Sequence, residues 1–173
     1  MLDVKTPHVD KIVRSLMDSY VLLGGINHID GPNLPSRQRT IDIFQTLRSI
    51  IFPGYYEREP VDETMLLYMT GERVSWVRKN LAEEITKSLC ADCRENGRCD
   101  QLPECSEKAQ DITDDLLHAL PDIRAKLRLD VRAAFDGDPA AKSEAEVIVA
   151  YPGVAALVAH RIAHFLYRRE VPL

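Results

Sequence analysis

Apolar residues recur at three- and four-residue intervals along most of the 173-residue chain, the pattern of helices that bury one face. Val9, Ile12, Val13, Leu16, Met17 and Tyr20 define the first such face. Thr6 is its expected N-cap, Pro7 suits the first helical position, and Gly24 with Gly25 stops it. "NHIDGPNLPS" reads as loop. Ser36 is the expected cap of a second helix, whose face is Ile41 with Phe44, Leu47, Ile50 and Ile51, and "PGYY" ends it. Asp62 caps a third, with Glu63 in its first turn and Met65, Leu66, Met69, Val74, Val77, Leu81, Ile85 and Leu89 spaced along it. Gly71 is the expected kink or break.

The periodicity lapses at "CADCRENGRCDQLPEC", residues 90–105, which is polar and reads as a Cys-rich loop. Helical spacing resumes near Ser106 with Ile112, Leu116, Leu117 and Leu120. Pro121 is a breaker or the first residue of a further helix carrying Ile123, Leu127, Val131 and Phe135, up to "DGD". Ser143, with Glu146 three residues on, has capping-box spacing and starts a short helix. "YPG" separates it from a final helix, Val154 to about Arg169. No run alternates as a strand does. The fold expected is all-α: one domain over residues 1–173, a compact bundle of about seven or eight helices with a Cys-rich loop.

Composition narrows the function. Lys and Arg number 22 against 27 Asp and Glu, a formal charge of −5. No basic stripe is interleaved with aromatics, so nucleic acid and anionic membranes are not expected partners. No N-terminal apolar region resembles a signal peptide, and no apolar run approaches the ~20 residues a spanning helix needs. The expected location is the cytoplasm, where cysteines serve as thiols or metal ligands.

Four cysteines lie within sixteen residues as C-x2-C-x5-C-x5-C: Cys90, Cys93, Cys99 and Cys105. Four thiolates on one loop can close around a tetrahedral metal, either zinc or iron in an iron–sulfur cluster. Such a site has no open position and would be structural; the alternative is four separate thiols. His160 and His164, at i and i+4, have the spacing of a helical zinc pair, or are a packed pair at a helix interface. The glutamate of "HExxH" is missing, and no nucleophile elbow or phosphate loop is present.

The last 36 residues, "DPAAKSEAEVIVAYPGVAALVAHRIAHFLYRREVPL", closely resemble the end of the N-terminal helical domain of serine O-acetyltransferases. The likeness lies in "DPA", a short helix, a Pro-Gly break, and a helix with "HRIAH" and "LY". It is specific over residues 138–173, while residues 1–135 agree in helical character alone. The cysteine segment departs from compact members of the family. In that family a left-handed β-helix of hexapeptide repeats follows, holding the acetyl-CoA groove and a His–Asp pair. Its histidine acts as general base on the serine hydroxyl, and acyl transfer gives O-acetylserine and CoA for cysteine synthesis. No hexapeptide repeat occurs in this sequence, so the resemblance implies no catalytic residue here. It implies a piece of a longer enzyme, cut at "REVPL", that is inactive alone. A stand-alone metal-stapled interaction or regulatory module is the alternative.

The resemblance carries one site residue over. Asp138 stands where the family's "DPA" aspartate helps bind L-serine; from the residues alone it reads as a helix-corner cap, as Asp136 could be. Arg161 and His164 also match family positions and are expected to brace the final helix. The resemblance further implies self-association through helical faces. Docking of the next enzyme of cysteine synthesis, and feedback by cysteine, belong in the family to parts beyond Leu173.

Overall fold

A computed structural model describes residues 7–24, 26–28, 34–95 and 102–172. Six helices account for most of them, and no strand occurs among the described residues: α1 (Pro7–Leu22), α2 (Arg37–Ile51), α3 (Glu63–Glu95), α4 (Leu102–Gly137), α5 (Glu144–Ala150) and α6 (Pro152–Arg168). The chain divides into two compact units, residues 1–32 and 33–173.

The first unit holds α1, which begins at Pro7 as the sequence predicts; Thr6 and Gly25 lie outside the described residues. Its C-terminal carbonyls are satisfied locally: Leu23 N–H donates to Ser19 O at 2.8 Å and the Asn27 amide to Tyr20 O at 2.6 Å. Among the described residues of this unit, none covers the face of Val9, Ile12, Val13, Leu16, Met17 and Tyr20.

In the second unit α3 and α4 form a long antiparallel pair. Arg78 meets Asp114 at 2.6 Å midway along α3, and Cys93 meets Cys105 at 3.8 Å where α3 ends and α4 begins. Helix α2 lies antiparallel on α3. The carboxylate of Glu84, buried at 3% exposure, accepts from Ser36 N–H at 2.6 Å and from Lys87 Nζ at 2.5 Å. Helix α6 runs antiparallel to α4, held by Arg161–Asp130 at 2.5 Å and by Arg169–Asp115. The core is a ladder of three- and four-residue steps: Val77, Leu81, Ile85 and Leu89 of α3, Leu116, Leu120, Ile123, Leu127 and Val131 of α4, and Val154, Val158, Ile162 and Leu166 of α6. The caps at Ser36 and Ser143 form as predicted, Ser36 Oγ accepting from Arg39 N–H at 3.3 Å and Ser143 Oγ from Glu146 N–H at 3.1 Å.

Three expectations change. The described helices number six rather than seven or eight, because α3 passes through Gly71 and α4 through Pro121 without ending. An interior proline forfeits one hydrogen bond and crowds the preceding turn. Packing on both sides outweighs that: Leu116, Leu120, Ile123 and Leu127 are all buried. The Cys-rich loop is also much shorter. Cys90 and Cys93 lie on the last turns of α3 and Cys105 on the first turn of α4; Cys99 lies outside the described residues. Cys90 and Cys105 are core residues, 8% exposed, since a thiol buries like a small apolar group. Finally, the buried face of α2 is Ile43, Leu47 and Ile51, with Ile41 only half-buried.

Candidate functional site

Asp138 follows the last residue of α4, at the corner that leads to α5. Its Oδ1 accepts from Ala140 N–H at 2.9 Å, and its backbone carbonyl accepts from Ala141 N–H at 3.0 Å. An aspartate closing a turn onto the residue two positions on is a common local device. The second oxygen does something the turn does not require. Asp138 Oδ2 accepts from the hydroxyl of Tyr151, 2.7 Å away and thirteen residues on. The Tyr151 hydroxyl, and secondarily the Ala140 N–H, hold the Asp138 carboxyl below the usual carboxylate range. Reciprocally, the hydrogen bond to Asp138 pushes the Tyr151 phenol above its ordinary value. The carboxylate is half-buried and ionised at neutral pH.

The surroundings of this corner are cross-linked by polar contacts. Arg132 Nε donates to Asp136 at 3.0 Å and its Nη1 to Glu144 at 3.2 Å, tying the end of α4 to the start of α5. Asp136 is thus committed to Arg132. The Glu146 carboxylate accepts from Lys142 N–H at 2.9 Å, one residue before the expected capping-box partner. Tyr56 donates to Ile148 O at 2.9 Å, anchoring α5 from the segment after α2. Helices α5 and α6 meet at 71° at Tyr151, where Pro152 occupies the first position of α6.

Sequence reasoning passed over Tyr151. Its only visible signal was its place before Pro152, since a residue preceding proline is confined to extended backbone; here φ is −84° and ψ 116°.

His160 and His164 do not join the corner. Their rings stack 5.8 Å apart on the exposed side of α6, two positions off the buried stripe. With Arg161, Arg168, Arg169 and Lys126 they line a shallow basic depression of about 430 Å³. Arg161 donates from both Nε and Nη2 to Asp130 Oδ2, at 2.9 and 2.5 Å, and so braces α6 against α4.

The cysteines meet where α3 ends and α4 begins. Cys93 Sγ and Cys105 Sγ are 3.8 Å apart. Burial pushes the Cys105 thiol up, opposed by its contact with Cys93 and reinforced by neighbouring Cys90. Among the described residues no group of three or more His, Cys, Asp or Glu is placed to hold a metal.

No family model matches the chain. A plasmid serine acetyltransferase of Synechococcus elongatus is 35% identical over 141 residues, 81% of this chain and 44% of that relative. Over most of its length the chain is thus similar to a serine acetyltransferase. Any match of that length takes in α2, α3 and Asp138. Serine acetyltransferases of Bacillus licheniformis and Mycobacterium tuberculosis share 57% over 44 residues and 54% over 47, about a quarter of this chain in each case. A crystal structure of serine acetyltransferase isoform 3 from Entamoeba histolytica, in complex with cysteine, superposes with a TM-score of 0.58 at 22% identity, over 94% of this chain and 49% of that one. That likeness is one of fold. In both long matches the chain spans less than half of its relative. Among the described residues no single helix is long and apolar enough to cross a membrane.

Proposed function

We propose that this chain is the N-terminal helical part of a serine O-acetyltransferase, which makes O-acetyl-L-serine and CoA from L-serine and acetyl-CoA in cytoplasmic cysteine synthesis. The observation that carries this is the 35% identity to a serine acetyltransferase across most of the chain. In this reading the general base and the acetyl-CoA groove belong to a β-helix outside these 173 residues. The helical part contributes the carboxylate of Asp138 to pair with the ammonium of serine. Alone, that carboxylate would bind serine feebly, because a single exposed ion pair contributes about 0–1 kcal/mol. The isolated chain, given serine and acetyl-CoA, is therefore expected to release no CoA above blank in a thiol-trapping assay. The full-length protein is expected to do so. Turnover by the isolated chain, or none by the full-length protein, would overturn the assignment.

Self-association is the second contribution of this region. The uncovered face of α1 supports it, with Ile12, Val13, Leu16 and Met17 between 47% and 55% exposed. The thiols supply a structural staple in the same reading. The C-x2-C-x5-C-x5-C spacing is what supports zinc or an iron–sulfur cluster on Cys90, Cys93, Cys99 and Cys105, since among the described residues no three ligands are placed around one ion. A spacing of 3.8 Å between Cys93 and Cys105 suits two thiolates on one zinc at about 2.3 Å each. Reduced, freshly purified protein with less than about a tenth of an equivalent of zinc or iron would exclude the staple.

A further inference from the structure

We propose that Tyr151 is a positioning residue for the amino-acid substrate, holding the Asp138 carboxylate in the one orientation that leaves an acceptor site on each oxygen facing outward. This rests on the reading of Asp138 as the partner of the serine ammonium. An ionised carboxylate offers about four acceptor sites, two per oxygen. Ala140 N–H takes one on Oδ1 and the Tyr151 hydroxyl takes one on Oδ2. One site on each oxygen remains, and a primary ammonium, with three donors, can use both.

The donor is itself held fast. Tyr151 N–H donates to Val147 O at 3.2 Å and its carbonyl accepts from Val154 N–H at 3.1 Å. Pro152 restricts its backbone from the other side. The hydroxyl therefore reaches Asp138 from the rigid joint of α5 and α6, whereas Asp138 sits on the less regular segment between α4 and α5. Without the hydroxyl, the carboxylate keeps only the short-range contact to Ala140 and can turn about its side-chain bonds. Glu146 is the other charge acting on Tyr151, and its carboxylate is occupied by Lys142 N–H. No second acceptor competes for the phenolic proton among these contacts.

The test uses steady-state kinetics of the full-length protein. Tyr151→Phe keeps the ring and removes only the donor. Its KM for serine is expected to rise about three- to tenfold, the scale of one ordinary net hydrogen bond. Its kcat should stay within about twofold, because the ammonium is bound alike in ground and transition states. The acid limb of kcat/KM should also move to higher pH, since the hydroxyl is the main group holding the Asp138 carboxyl down. A role confined to folding would not move that limb. Asp138→Asn should raise KM further, and adding Tyr151→Phe to it should do nothing more. If Asp138→Asn weakens serine binding while Tyr151→Phe leaves KM and the acid limb unchanged, the positioning role is wrong and the ammonium reading stands. If Asp138→Asn leaves KM unchanged, both are wrong. On the chain itself, NMR titration of the Tyr151 ring should move to lower pH in Asp138→Asn; an unmoved titration would refute the hydrogen bond and the proposal with it.

Discussion

At the scale of single residues, the Asp138–Tyr151 pair makes stability depend on pH at two ends. The Asp138 carboxyl is depressed in the folded chain, so its contribution is present above the unfolded value of about 4 and is lost as pH falls through the folded value. The Tyr151 phenol is raised, so its contribution is present below about 10 and is lost as pH rises through the folded value. Denaturant melts of wild type and Tyr151→Phe should therefore differ by a constant amount between these limits and converge outside them. A second residue-scale feature ends α6. Glu170 adopts φ 58°, a left-handed conformation that suits glycine. Glu170 N–H donates to Tyr167 O at 3.0 Å and Val171 N–H to Leu166 O at 3.2 Å, and Val171 is buried behind the turn. Glu170→Gly should stabilise the fold by about 1 kcal/mol, read as a higher melting temperature. Asp138 was legible in the sequence because its "DPA" setting is local. Tyr151 was not, because its partner is chosen by the bend between two helices.

At the scale of elements, local rules were reliable where they act within one turn. Ser143 caps α5 through Glu146 N–H, and Ser143→Ala should cost about 1 kcal/mol in chemical denaturation, with the loss centred on this seven-residue helix. Gly71, Pro121 and the polar run after Cys90 were poorer guides. Each disfavours a helix by its own chemistry, yet α3 and α4 continue through or into all three. Leu116 and Leu127, fully buried on α4, lie on either side of Pro121. Leu116→Ala should cost about 2–5 kcal/mol, measured as a drop in unfolding free energy, because the long helix pair cannot collapse around the hole. Polarity misled at the cysteines for a related reason. Cys90 packs beside Leu89, and Ser88 spends its hydroxyl on the carbonyl of Pro172, so residues 88–90 of α3 are buried despite few large apolar groups.

At the scale of the whole molecule, the apolar face of α1, uncovered by the described residues of its own unit, gives a direct expectation. The chain should run above its monomer mass in light scattering, and Leu16→Asp together with Ile12→Asp should return it to monomer with helix content unchanged. A wild-type monomer at all concentrations would remove self-association from the proposal. The sequence by itself determined the helical class, most helix starts and the kinship, because apolar period, caps and the "DPA…HRIAH" signature are all short-range. Only the tertiary structure decided which helices run on, which face of α2 is buried, and that Tyr151 reaches Asp138. Those outcomes depend on burial and on contacts between distant parts of the chain, which outweigh local preference once α2 to α6 are packed.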